Sequence, residues 1–173
     1  MKLFKSCFNT RIGTLCYLWL DYKGSPGVAA LGMGKNRMER YISVLKAESS
    51  RYDDIIIEDR KFPLLEKNIA AFLEGKLEDI GIRPVFLTGT EFQKRVWKET
   101  LEIPFGWTCS YGELADICGR PGAGRAVGNA MGRNPVMLIV PCHRIIKGDG
   151  SPGGFGARPG LKRELLANEG LKF

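Results

Sequence analysis

The run from 136 to 146 reads Val-Met-Leu-Ile-Val-Pro-Cys-His-Arg-Ile-Ile and sets a cysteine beside the chain's only histidine. Pro141 withholds a backbone donor and fixes the chain just before Cys142, which holds a thiol at the end of an apolar stretch. A free thiol is only a few per cent ionised near neutrality, so a nucleophilic cysteine needs a base or positive surroundings. His143 and Arg144 are the local candidates. Adjacent side chains in extended backbone diverge, so His143 is expected to reach Cys142 through a water molecule. Taken alone, a Cys-His pair is more often an inert buried thiol beside a structural histidine.

The other four cysteines are 7, 16, 109 and 118, and no two of the five have the close spacing of a zinc site. A metal site would have to recruit the one histidine; no metal is expected. Cys7 and Cys16 would face each other across a hairpin turning at Arg11-Ile12. Reduced thiols are expected there, because the N-terminus lacks the apolar centre of a secretory signal and points to a cytoplasmic protein. The longest apolar runs are too short to span a bilayer.

The elements that must position Cys142 can be read from periodicity and caps. Lys2–Phe8, Ile12–Tyr22 and Val28–Met33 read as strands, and Ile55–Ile57 as a short fourth. Asn36–Ser49 and Pro63–Gly75 carry apolar residues at helical spacing. Thr90-x-x-Gln93 and Ser110-x-x-Glu113 have the form of capping boxes, opening helices through Leu101 and Ile117. Gly119-Arg120-Pro121-Gly122 is a turn, and a third helix runs from about Ala123 to Arg133. Two short helices across a glycine-containing turn have the sequence form of a helix-turn-helix. The last is rich in Ala and Gly, which fits close approach either to another element or to a nucleic-acid groove. Gly122-x-Gly124-x-x-x-Gly128 has a dinucleotide-like spacing, but no apolar strand precedes it. The fold class is α/β: a small N-terminal α/β domain (1–86), expected to be structural, precedes a mainly helical domain (87–173).

Between Ile117 and Arg163 stand eight cations, Arg120, Arg125, Arg133, Arg144, Lys147, Arg158, Lys162 and Arg163, opposed only by Asp149. That stretch alone carries the chain's whole net charge of +7. A basic segment on a balanced body suggests a polyanion partner through counterion release, or a solvated basic face.

Pro141-Cys142-His143-Arg144-Ile145-Ile146 resembles the active-site signature of the O6-alkylguanine-DNA alkyltransferases, the methylated-DNA–protein-cysteine methyltransferases. Arg125 to Met131, Asn134-Pro135, Ser110-Tyr111 and the stretch from Leu165 to Gly170 match in the same order and at similar spacing. The likeness runs from about Thr90 to Gly170 and is only architectural before it. It implies a ribonuclease H-like first domain and a helix-turn-helix that enters the DNA minor groove. It implies repair of O6-alkylguanine, and of O4-alkylthymine, by one irreversible transfer of the alkyl group to Cys142 after nucleotide flipping. No cofactor is implied. The partner would be double-stranded DNA, bound by a monomer, with cooperative binding left open.

By the same resemblance, His143 would act as a water-mediated base oriented by Glu169, and Asn134 would brace the reactive turn. Tyr111, supported by Lys162, would assist protonation of the departing guanine. Arg125 would fill the space left by the extruded base, with Ala126, Ala130, Arg133 and Tyr111 against the DNA. Met131, Met137, Ile145, Phe155 and Gly156 would shape the base pocket, wrapped by the loop from Gly148 to Gly160. The chain departs from some members at two places: Gly156 stands where a serine follows the loop aromatic, and Met137 where a proline follows the active-site asparagine. Three rivals make different demands. A lesion-binding relative would lack the reactive cysteine, a major-groove regulator would be poorly served by an Ala/Gly helix, and a cysteine hydrolase would need an oxyanion hole.

Overall fold

The computed structural model describes residues 1–48 and 54–173. Strands β1 (Lys2–Thr10) and β2 (Gly13–Tyr22) form an antiparallel hairpin that turns at Arg11-Ile12, with Thr10 opposite Gly13. Strand β3 (Ser25–Met33) continues the meander, and β4 (Ile56–Asp59) lies parallel to β1, giving the order β3-β2-β1-β4. Alternation along β2 sorts its side chains between two buried layers. Leu15, Tyr17 and Trp19 face one layer, whereas Cys16 and Leu18 face the other. Helix α1 (Lys35–Ala47) covers the second layer with Met38 and Leu45. Helix α2 (Pro63–Leu73) closes the first with Leu65, Ile69 and Phe72. The expected end of the first helix, Ser49, lies outside the described residues.

Both anticipated capping boxes are present. Thr90 caps α3 (Glu91–Leu101) and Ser110 caps α4 (Tyr111–Ile117), each with reciprocal side-chain and backbone bonds to the third helical residue. Helix α5 (Gly124–Gly132) packs on α3 and α4 through Val127, Ala130 and Met131. A 3-10 turn over Cys142–Arg144 follows, and α6 (Leu161–Asn168) ends the described order of elements. Two-residue strands β5 (Cys109–Ser110) and β6 (Ile145–Ile146) pair in parallel and tie the start of α4 to the reactive turn.

One expectation changes, and three features lie beyond the sequence reading. Cys7 and Cys16 sit directly opposite across the hairpin and are joined as a disulfide, because that register brings their Cα atoms to 4.0 Å. The apolar run after Asn134 doubles back in a turn, with Val140 N–H donating to Val136 O and Leu138 at a φ of 73°. Helix α6 is an element beyond those read from the sequence, with Leu161, Leu165 and Leu166 at helical spacing. Finally, the two halves share one buried cluster, running from Phe4, Tyr17 and Phe72 to Trp97, Val127, Val140 and Leu165.

Strand β3 supplies the physical link between the halves. Its edge would otherwise present unpaired backbone groups. Val28 instead exchanges hydrogen bonds with Arg83 O and Val85 N, and Leu31 with Pro135 O and Met137 N. The N-terminal sheet therefore holds the chain immediately before the reactive cysteine.

Candidate active site

Cys142 is 9% exposed and lies on a cavity of about 230 Å³. Tyr111 from α4, Gly128 and Met131 from α5, Asn134 and Met137 from the turn, and Gly154 to Ala157 from the following loop form its walls. The volume is below the ~300–1,000 Å³ of sites for drug-sized ligands, and suits one flat ring system rather than an extended molecule. Two glycines of α5 lie beside Tyr111, where a Cβ would make ordinary contact. A Cβ at Gly124 would stand 3.6 Å from the Tyr111 carbonyl carbon, and one at Gly128 3.8 Å from the Tyr111 ring. Ala126 and Asn129 are exposed and do not line the cavity, whereas Gly132 is exposed on its edge.

Asn134 is 1% exposed and spends its amide on the turn. Its Nδ2 donates to Val140 O at 3.2 Å, and its Oδ1 accepts from Val136 N–H at 2.9 Å. Those two bonds fix both sides of the Leu138 turn and set the entry to Pro141-Cys142.

Behind the cysteine lies a buried charged pair with its orienting partner. His143 Nε2 is 2.7 Å from Glu169 Oε1. Arg144 clamps the same carboxylate, with Nε at 3.0 Å from Oε2 and Nη2 at 3.0 Å from Oε1, and Gly106 N–H donates to Oε2 at 3.0 Å. Arg144 Nη1 donates to Ile103 O at 2.7 Å, so this guanidinium faces inward. Burial opposes ionisation of Glu169, but the bonds from His143 and Arg144 outweigh it and hold its carboxyl at about 2. Burial lowers His143 below its ordinary value, with Glu169 pulling the other way, so the ring is neutral at pH 7. An ionised carboxylate accepts only, which places the ring proton on Nε2 and leaves Nδ1 as a basic lone pair. Nδ1 is buried and bonds no protein atom among the described residues. Phe72 fixes the ring's other face by edge contact at 6.3 Å between centroids.

The resting sulfur is a thiol. Burial pushes Cys142 up, and the Asn134 hydrogen bond and the charges of Lys162 and Arg37 only partly offset it. Lys162 is buried, donates through Nζ to Ile145 O and lies 5.8 Å from the centroid of the Tyr111 ring. Burial lowers its ammonium to about 8 and raises the Tyr111 phenol, which the Cys142 charge raises further.

Most residues singled out from the sequence converge here: Cys142, His143, Glu169, Asn134, Tyr111, Lys162, Met131, Met137, Phe155 and Gly156. Arg125, Ala126 and Arg133 are exposed on or beside α5. Two placements correct the sequence reading. Ala130 is 1% exposed and gives its carbonyl to the Trp97 indole N–H at 2.9 Å, so it packs inward rather than on DNA. Ile145 is fully buried in β6 and does not line the cavity. Arg144 and Lys162, counted among the surface cations, are also buried. Arg37 of α1 was missed. It lines the cavity from the other half of the chain and bonds Asn134 O and Gly156 O. Its one local signal is Gly32, inside a strand, where a Cβ would stand 2.8 Å from Arg37 Cδ.

The fold and the site together define a mixed α/β protein with a buried cysteine on a small cavity, next in sequence to a histidine hydrogen-bonded to a glutamate. Residues 91–171 match the family described as 6-O-methylguanine DNA methyltransferase, DNA binding domain. A methylated-DNA–protein-cysteine methyltransferase of Methanosarcina acetivorans is 38% identical over 135 residues, covering 76% of this chain and 85% of that protein. The Mycobacterium tuberculosis protein of the same name is 50% identical over 99 residues, and the match spans 57% of this chain and 59% of that relative's length. The crystal structure of Mycobacterium tuberculosis OGT in complex with DNA superposes with a TM-score of 0.75 at 33% identity, covering 98% of this chain and 92% of that one. The O6-methylguanine-DNA methyltransferase of Pyrococcus kodakaraensis superposes with a TM-score of 0.66 at 25% identity, covering 98% and 99%. The chain belongs to the methylated-DNA–protein-cysteine methyltransferase family.

Proposed function

We propose that this protein repairs O6-alkylguanine in double-stranded DNA, and O4-alkylthymine by the same route, by taking the alkyl group onto Cys142. The observation that carries the reading is a buried thiol on a ring-sized cavity, backed by a neutral histidine whose free nitrogen can accept its proton. A base stacked in duplex cannot present its O6 substituent for in-line attack, so the nucleotide is flipped out at a cost of a few kcal/mol. Sγ attacks the alkyl carbon and the carbon–oxygen bond breaks, with its electron pair leaving on guanine. The thiol proton passes through a water molecule to His143 Nδ1, and Glu169 stabilises the imidazolium that forms. Tyr111, held beside Lys162, gives a proton to the departing guanine, so protons balance overall. The thioether product offers no good leaving group, which limits each molecule to one turnover.

The sheet order β3-β2-β1-β4, with β1 parallel to β4, supports a ribonuclease H-like first domain (1–86). The α4–turn–α5 pair supports a helix-turn-helix in the second (87–173). On this reading α5 enters the minor groove of the DNA as part of a monomer, Arg125 takes the place of the extruded base, and Arg133 holds phosphate. A cytoplasmic, nucleoid-associated setting follows from such a substrate. The test is to incubate the protein with an O6-methylguanine duplex and follow both molecules. The reading expects guanine restored in the DNA and one methyl group gained by the protein; tight binding with neither change would overturn it.

A further inference from the structure

We infer that Arg37 is a positioning residue of the reactive pocket: its guanidinium clamps the two loops that wall the cavity and presents a fixed positive charge to the sulfur of Cys142. This rests on the alkyl-acceptor reading of the site. Arg37 stands on α1, in the half of the chain that the sequence marks as structural. It crosses the bare backbone of Gly32 in β3 to reach the other half. There Nη2 donates to Asn134 O at 3.2 Å and Nη1 donates to Gly156 O at 3.2 Å. Asn134 belongs to the turn that sets Cys142, and Gly156 to the loop that follows Phe155. One planar group therefore fixes the spacing between the floor and the rim of the cavity, a task suited to a forked donor.

The groups that face the sulfur come from several elements. Lys162 approaches from α6, the Tyr111 phenol from α4, the Asn134 amide from the turn, and His143 with Glu169 from behind, while Arg144 is turned away onto Glu169. Lys162 is occupied by Ile145 O, and its ammonium is weakened by burial. Arg37 stays charged at any working pH, so it supplies a cation that a change in protonation cannot remove. A positive charge on the wall of the same cavity favours the thiolate, by a factor of about three to ten at pH 7 once partial exposure is allowed for.

The experiment uses the full chain as wild type, R37K and R37M. Alkylation of Cys142 by iodoacetamide is followed by peptide mass from pH 6 to 10, and methyl transfer from the duplex is measured in parallel. R37M is expected to react about three- to tenfold more slowly at pH 7, with its profile displaced to higher pH. R37K is expected to keep the wild-type profile yet transfer methyl at least threefold more slowly, because an ammonium cannot hold two carbonyls in one plane. An unchanged profile in R37M, or an equal displacement in R37K, would overturn the electrostatic part. Wild-type transfer rates in R37K would overturn the clamp, and R37K decides the matter if R37M does not fold. Should the wild type take no methyl from duplex, the repair reading fails while the iodoacetamide arm still decides Arg37.

Discussion

Replacing Glu169 by Gln keeps its shape and removes its charge, and the consequence can be worked from the site. Three groups deliver hydrogen bonds to two carboxylate oxygens: His143, the two-pronged Arg144 and Gly106 N–H. An amide has one oxygen to offer, and its own N–H groups would point at donors. The side chain is 1% exposed, so solvent does not soften the loss. A carboxyl held at about 2 against an ordinary 4.5 contributes about 3 kcal/mol to folding at neutral pH. Breaking one partner of a buried ion pair typically costs a similar ~3–5 kcal/mol. E169Q should therefore melt about 6–12 °C below wild type at pH 7. The sign with pH follows from the lowered carboxyl. Its contribution is complete above about pH 5, falls to about 1 kcal/mol near pH 3, and is lost as pH drops through the folded value. Neutral, buried His143 adds acid sensitivity to both proteins, so the difference between them reports Glu169. Urea denaturation of both proteins from pH 3 to 7 makes the measurement. A gap that stays constant with pH, or one below about 1 kcal/mol at pH 7, would refute the reasoning. Methyl transfer by E169Q should also slow, by on the order of 10², as the base loses its orienting partner.

Other outcomes test other parts. Arg125→Ala should slow repair of duplex about tenfold or more while leaving reaction with the free O6-methylguanine base within twofold, because only the duplex requires extrusion; equal losses would show that Arg125 is no wedge. Leu138 is buried at a φ of 73°, a left-handed conformation that costs a side chain about 1–2 kcal/mol. Leu138→Gly and Leu138→Ala should both destabilise through the lost packing, but the glycine variant should be the more stable by about 1 kcal/mol in denaturant titration. The reverse order would mean that the turn carries no strain.

Local chemistry was the legible part. Thr90 with Gln93 and Ser110 with Glu113 announce helix starts because both partners of each cap lie within four residues. The hairpin from Lys2 to Tyr22 shows through its Phe, Leu, Tyr and Trp on either side of a short turn, and the Cys142-His143 pair through its flanking residues. What escaped depends on contacts far apart in sequence. Arg144 reads as a surface cation and becomes buried because Glu169, 25 residues on, meets it. Ala130 reads as groove-facing and lies on nearly the same helix face as Ala126 one turn earlier, but Trp97 of α3 meets the later turn and leaves Ala126 and Asn129 outside. The apolar run from 136 to 140 shows no turn signal of its own, and Asn134 folds it into a turn by bonding both of its ends. Arg37 acts over a separation of 97 residues to Asn134, with no pattern around it beyond Gly32.

The account's central claim is that Cys142 is consumed as it repairs. The direct measurement is a titration with duplex DNA carrying O6-methylguanine with an isotopically labelled methyl group, counting label on the protein. The label should rise to one per chain and stop, all of it in the peptide bearing Cys142, with one guanine restored for each protein spent. Label that turns over catalytically, settles on another residue, or never leaves the DNA would contradict it.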